Sequence, residues 1–305
     1  MKKKMMLLIC TLIGCTMFTM HSAQAAALQN ELHLNINGVQ TGDQKPIVVN
    51  NVTLVPIRTV SFIPNVNVDW NSKTKTITVT DSVTKDSLKL TVGSKEAIVG
   101  GERVTLKTPP VIRDGAVYVP FRWIGEGIKA KVVWDAPTKT VVIYKTSQEL
   151  LKDSVSADLV KSRNAALDLP RITLQDDLIP DQEGGAGGTY YFQYGKSNSF
   201  IYEYRGISTY YKVINGAAWG GWQGKEVLQI GNGNPFKINM MKPNGEEWGT
   251  RPDYSGKVNY FMDLWKMEEV KYGTFDEAGN VIISASKSFP AGAKDFISEI
   301  PGEQS

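Results

Sequence analysis

The sequence predicts an α+β protein in two folded parts: a tandem module of β-hairpin, short helix and β-hairpin, then a helical linker and a mainly antiparallel β domain. Two observations carry this reading. Val55-Pro56-Ile57-Arg58 recurs 64 positions later as Val119-Pro120-Phe121-Arg122, and the correspondence continues without gaps on both sides. Beyond Gly188 the aromatic residues concentrate, with 21 of the 29 Phe, Trp and Tyr in the last 117 positions, in strand-length runs bounded by Gly or Asn. Composition agrees: 305 residues, 42% hydrophobic and 21% charged, is a globular balance with room for two domains. It excludes a disordered, collagenous or polytopic membrane chain.

Residues 1–25 read as a signal peptide. Lys2, Lys3 and Lys4 precede the apolar run Met5 to Met20, and Ala23-Gln24-Ala25 supplies a small-x-small cleavage site, so cleavage is expected after Ala25. The apolar run, roughly 16 residues, is shorter than the about 20 that a membrane span needs. Leu12-Ile13-Gly14-Cys15 resembles a bacterial lipobox, and a lipoprotein anchored at Cys15 is the alternative to a secreted protein. The stretch Thr16 to Met20 continues the hydrophobic region past Cys15 and favours release. Removing the three lysines from the 34 basic residues leaves 31 against 31 acidic ones, a balance with no field for nucleic acid. Both cysteines, Cys10 and Cys15, lie in the same segment, and His33 is the one histidine beyond it. No thiolate chemistry, metal site or cofactor is expected.

The repeat can be read element by element. Pro46-Ile47-Val48 aligns with Pro110-Val111-Ile112, and the turn pair Asn50-Asn51 with Asp114-Gly115, so each unit opens on a β-hairpin. Pro56 and Pro120 then stop the strand and start a helix. In the second unit Phe121, Ile124 and Ile128 recur at helical spacing over Arg122 to Lys129; in the first, Pro64 cuts the helix short and Asn65 takes a left-handed exit. Val68-Asp69-Trp70 and Val132-Val133-Trp134 lead into a second hairpin that returns as Ile77 to Val79 and Val141 to Ile143.

Together these motifs, a hairpin, Val-Pro-x-Arg, a short helix, Val-x-Trp-Asp/Asn and Lys-Thr-x-x-Val, resemble the copper amine oxidase N-terminal domain, a stalk-like module of many exported proteins of Gram-positive bacteria. The resemblance covers residues 32–145. It implies an antiparallel sheet wrapped against a helix, and not the catalytic part of the oxidase. Members usually carry Gly after the helix, where Asn65 and Lys129 stand here. Copper oxidases of this type resemble one another in three His ligands and a cofactor tyrosine in an Asn-Tyr-Asp/Glu context. Only His33 is present after the leader, and Asn259-Tyr260 is followed by Phe261, so Tyr260 reads as a sheet-face aromatic and copper amine oxidation is rejected. The repeated Arg58 and Arg122 are expected to pair with Asp69 and Asp135 and lock helix to sheet; the alternative is an anion or a carboxylated glycan.

Residues 146–188 read as a helical and Gly-rich linker. Leu150, Leu151, Val155, Leu159 and Val160 recur at near-helical spacing up to Pro170, and 176–188 is acidic and glycine-rich. Asp176, Asp177, Asp181 and Glu183 lack the spacing of an EF-hand loop and read as solvated. The β domain, 189–299, has strands at Thr189 to Tyr194, Phe200 to Tyr204, Ser208 to Ile214 and Val227 to Ile230, with turns at Pro243-Asn244-Gly245 and Asp276 to Asn280.

Catalytic constellations are scarce. A serine triad would need His33 to reach across from the module. Gly195-Lys196-Ser197 looks like the tail of a phosphate loop, but Tyr190 stands in place of its first Gly. Glu203, Asp253, Asp263, Glu268 and Glu269 could supply the carboxylate pair of a glycoside hydrolase. The stronger motif is Trp219-Gly220-Gly221-Trp222 with Trp248, Tyr254 and Arg251, a ring platform for sugars if the rings are exposed and core if they are not. The resulting expectation is a non-catalytic cell-envelope protein whose stalk-like module presents a β domain to wall polysaccharide or a surface protein. The alternative is a secreted carboxylate-dependent hydrolase.

Overall fold

The computed structural model describes residues 31–42, 44–180, 187–225, 246–290, 293 and 295–303. The leader with Cys10 and Cys15, the acids Asp181 and Glu183, the strand expected at 227–230 and the turn at 243–245 lie outside the described residues. Strand predominates over helix, in keeping with an α+β chain.

The first part is built from thirteen short strands. They are β1 (His33–Ile36), β2 (Val39–Gln40), β3 (Ile47–Val49), β4 (Val52–Pro56), β5 (Val66–Asn71), β6 (Thr76–Asp81) and β7 (Ser87–Thr91), then β8 (Glu96–Val99), β9 (Glu102–Thr105), β10 (Val111–Arg113), β11 (Ala116–Pro120), β12 (Lys131–Asp135) and β13 (Thr140–Tyr144). A 3₁₀ helix, Ile57–Phe62, follows β4, and α1 (Phe121–Ile128) follows β11. The strands form three sheets, β10-β11-β4-β3, β12-β13-β1-β2 and β5-β6-β7-β8-β9. Sheet β12-β13-β1-β2 is not purely antiparallel as the resemblance implied, because β1 runs parallel to β13.

The repeat is exact at the level of register. Trp70 faces Ile77 as Trp134 faces Val141, and Ile47 faces Leu54 as Val111 faces Tyr118. The two units meet where β4 and β11 pair antiparallel with Val55 opposite Val119, its own counterpart, so an internal dyad runs through that pair. Asn65 (φ 65°) takes the left-handed exit expected there, and Lys129 (φ 54°) adopts the same conformation at the matching position after α1. Helix α1 approaches the sheets closely through glycine: a Cβ at Gly125 would lie 2.4 Å from Val132 Cγ2, and one at Gly127 2.5 Å from Leu88 Cβ. Val60 and Ile124, dyad mates, are fully buried with Leu34, Ile77, Leu88 and Val141 in one core.

Among the described residues the second part holds α2 (Gln148–Ser154), α3 (Leu159–Asp168) and a nine-stranded sheet. Its strands are β14 (Arg171–Ile172), β15 (Thr189–Gln193), β16 (Ser199–Tyr204), β17 (Ile207–Ile214), β18 (Ala217–Lys225), β19 (Glu247–Gly249), β20 (Val258–Leu264), β21 (Glu269–Phe275) and β22 (Val281–Ser288). The order is β14-β18-β17-β16-β15-β20-β21-β22, with β19 also on β18. Ser147 and Asp158 cap the two helices by accepting from the Leu150 and Lys161 N–H groups. The linker expected over 146–188 is, over its described part, an integral layer of this domain. Ala166 and Leu169 pack with Ile297 and Ile300 on Phe192, Phe200, Tyr211 and Phe261, covering one sheet face, and β14 extends the sheet. The opposite face carries Tyr191, Ile201, Tyr254, Val258, Tyr260 and Phe275. Tyr260 is the sheet-face aromatic the sequence implied, buried at 4% exposure.

The parts share a contact surface. Strand β13 is buried along its whole length because Val141 and Ile143 face the module core, whereas Val142 and Tyr144 face Ile172 and Ala217 of the β domain. Tyr144 meets Trp219 edge-on with centroids 5.9 Å apart. Gln40 Nε2 donates to the Thr173 carbonyl at 3.1 Å, and Gly38 lies so close that a Cβ there would sit 2.3 Å from the Arg171 carbonyl oxygen.

Candidate functional site

The tryptophan platform splits on inspection of its backbone. Along β17 and β18, Tyr210 faces Trp222 but Tyr211 faces Gly220, so Gly221 is an unpaired bulge residue. That extra residue resets the alternation and puts Trp219 and Trp222 on one sheet face, as only the Gly-Gly bend allows. The rings nevertheless serve different purposes. Trp222 is 1% exposed and donates its indole N–H to Glu247 Oε2 at 3.0 Å. Tyr254 is buried, its hydroxyl donating to the Tyr191 carbonyl, and burial pushes its phenol well above the usual range. Trp219 is half-buried against Tyr144 at the contact between the two parts. The space beside Gly221 is taken by the chain itself, since a Cβ at Gly249 would lie 2.2 Å from the Gly221 carbonyl oxygen. Trp248, half-buried, donates to Gln223 Oε1, and Arg251, exposed, pairs with Glu247 at 3.0 Å. Trp222 and Tyr254 are therefore core residues, and no common exposed surface joins the five side chains.

The repeat-motif residues are displayed differently. Pro56 and Pro120, both extended at φ near −60°, close their strands and open the helices. Trp70 and Trp134 stand at matching sites, 43% and 45% exposed. The expected Arg–Asp locks do not form. Arg122 donates along its own helix to Glu126 Oε1 at 2.8 Å. Asp135 is occupied by its own turn, accepting from the Thr138 N–H and hydroxyl. Asn71, its dyad counterpart, accepts likewise from the Lys73 and Thr74 N–H groups. Arg58 is exposed and makes no ion pair with Asp69 or with any other group among the described residues. It lines a groove of about 440 Å³ between the 3₁₀ helix, β5 and the β10–β11 turn, together with Trp70, Ser61, Asn67 and Gly115.

The five candidate carboxylates are dispersed. Glu203 pairs across β15 with Thr189, which in turn pairs with Met262, so Glu203 and Asp263 project from opposite faces. Glu269 is three strands from Glu203, about 14 Å at the usual strand spacing. Asp253 and Glu268 are exposed, the former accepting from the Ser255 N–H. Burial raises the Glu203 carboxyl above its ordinary pKa, against a weak opposing bond from the Gly206 N–H. No cluster of three His, Cys, Asp or Glu is placed to hold a metal ion among the described residues.

Two cations packed into the β domain, half-buried Arg171 and buried Arg163, carry no signature of their own in the sequence. The Arg171 guanidinium lies 5.1–5.8 Å from the ring centroids of Tyr190, Phe200, Tyr202 and Tyr211, a cage assembled by three adjacent strands. The density of tyrosines around position 200 was the only signal for it. Arg163 forms a two-pronged pair with Glu303, and the Gly195 N–H of the supposed phosphate-loop tail donates to that same carboxylate at 2.6 Å. Asp177 is exposed, in keeping with the solvated reading, and also accepts from Gln223 Nε2 at 3.1 Å.

These features define a dyad-repeated α+β module docked edge-on against an aromatic β-sheet domain. Residues 34–143 match the family model of the copper amine oxidase N-terminal domain, almost the span over which the motifs resembled it. No other family is found in the chain, and no curated protein matches it.

Proposed function

We propose that this is an exported, non-catalytic protein of the cell envelope that binds wall polysaccharide or a surface protein. The observation that carries the binding role is the display of Trp70 and Trp134 at equivalent positions of the module, each nearly half exposed where most large rings among the described residues are packed away. Exposed indoles stack on the apolar faces of sugars, and the repeat presents one in each unit. The family match is to a domain outside the catalytic part of the oxidases, and the dispersed carboxylates lend the hydrolase alternative no support. Export rests on the leader, and no helix among the described residues is long and apolar enough to cross a membrane.

Co-sedimentation of the protein from Ala26 onward with purified walls of the producing bacterium tests the reading. Saturable sedimentation is expected, with no release of reducing sugar. Absence of binding refutes it, and sugar release would establish the hydrolase. Mass spectrometry of the processed N-terminus is expected to begin at Ala26; a diacylated Cys15 would replace the secreted form by an anchored one.

A further inference from the structure

We propose that the groove at Arg58 and Trp70 binds a carboxylated saccharide, with the sugar ring on the indole and its carboxylate on the guanidinium. The inference rests on the wall-binding reading for its biological setting but on separate observations for its chemistry. The repeat supplies an internal control. In the second unit the cation at the helix start is neutralised by Glu126, one turn along the helix. In the first unit the residue at the corresponding position is Phe62, 43% exposed, and Arg58 has no carboxylate partner among the described residues. An unpaired guanidinium therefore stands beside an exposed Trp70 in a groove that no acidic side chain lines.

The rest of the groove suits such a ligand. Its floor is apolar, with Ile77 fully buried and Val66 6% exposed, and Ser61 and Asn67 add polar groups at the rim. A volume of about 440 Å³ lies within the range of small-ligand sites and suits one or two sugar rings. Guanidinium and carboxylate can meet through two parallel hydrogen bonds, which fixes the ring as well as attracting the charge. The indole face contributes the apolar half of the recognition. A neutral sugar would use the ring alone, and a small anion the arginine alone.

The test is calorimetric titration of the full chain from Ala26 with trigalacturonate, using maltotriose as the neutral comparator. Saturable binding of trigalacturonate is expected, at least tenfold tighter than maltotriose. Arg58→Gln and Trp70→Ala should each weaken it tenfold or more, and Phe62→Glu, which supplies the missing internal partner, should do the same. Arg122→Gln, at the cation already neutralised by Glu126, should change it less than twofold. Unchanged thermal unfolding of the Arg58 and Trp70 variants separates lost binding from lost folding, since both side chains are exposed. Equal binding of maltotriose, no saturation by trigalacturonate, or equal damage from the Arg58 and Arg122 changes would overturn the site. If the protein sediments with walls but trigalacturonate does not bind, the groove is wrong and the wall reading stands. If trigalacturonate binds here but the protein does not sediment, the reverse holds.

Discussion

Replacing Glu303 by Ala should remove a large share of the β domain's stability. Its carboxylate is 3% exposed and faces a guanidinium that is 1% exposed. It accepts from Arg163 Nη1 and Nη2 at 2.7 and 2.6 Å, from the Gly195 N–H at 2.6 Å and from Asn259 Nδ2 at 2.7 Å. Alanine leaves the guanidinium with the Lys196 carbonyl, the distant Gln193 carbonyl and the face of Phe192 as its remaining partners. Removing one member of a buried pair costs about 3–5 kcal/mol, because the survivor keeps its desolvation penalty without its partner. Against a domain stability of about 5–15 kcal/mol this is a major loss. Urea unfolding followed by tryptophan fluorescence measures it. Glu126→Gln, which breaks the exposed pair with Arg122, should cost about 0.5 kcal/mol or less by the same assay. The double change Arg163→Met with Glu303→Leu should recover most of the loss, since an apolar pair carries no stranded charge. A cost under about 1 kcal/mol for Glu303→Ala, or no recovery in the double variant, would refute the reasoning.

Trp222→Ala should cost about 3–5 kcal/mol of folding free energy in denaturant titrations, whereas Arg251→Ala, at an exposed ion pair, should cost about 1 kcal/mol or less. Gly38→Ala combines a residue at φ 92° with a Cβ that would overlap the Arg171 carbonyl, so limited proteolysis between the two parts should accelerate markedly. Asp81 gives the pH dependence: burial pushes its carboxyl up, but the hydrogen bond from Lys145 and the N–H groups of Thr84 and Val83 together hold it below the ordinary carboxylate value. A depressed carboxylate stabilises above its unfolded pKa and loses that contribution as pH falls through the folded value. The stability gap between the wild-type chain and Asp81→Asn should therefore be full above the ordinary carboxylate range and shrink as pH falls through the lowered folded value, and a gap that does not depend on pH would count against the pairing.

Much of the module was legible because its signals are local and occur twice. The turn pairs, the prolines that close β4 and β11, and the left-handed Asn65 each follow from residue chemistry within a few positions, whereas nothing in lysine itself announces the same conformation at Lys129. The offset of 64 showed that the units are equivalent but not how they meet, since the Val55–Val119 pairing is a contact between distant strands. Strands β7, β8 and β9 lie between the repeated motifs and have no counterpart 64 positions on, so the repeat carries no signal for them, although Leu88 and Leu90 alternate with polar neighbours. In the second half the aromatic concentration was read without a face assigned to each ring. One added residue at Gly221 decided where Trp222 went. The Arg163–Glu303 pair, 140 residues apart, had no trace in spacing. The helices before Pro170 were visible, but their docking depends on small Ala165 and Ala166, which periodic scanning undervalues.

The dyad through Val55 and Val119 makes the module, in effect, a homodimer whose two protomers share one chain. Each half completes the other's sheet, so a half expressed alone would leave the β4 or β11 edge open and would recover its frame only by pairing with a second copy. Fusion removes the constraint that both halves stay identical. One copy can keep its charge satisfied from within, as Arg122 does with Glu126, while the other gives up that satisfaction and turns outward at Arg58. A duplicated scaffold can thus hold its shape with one half and acquire specificity with the other.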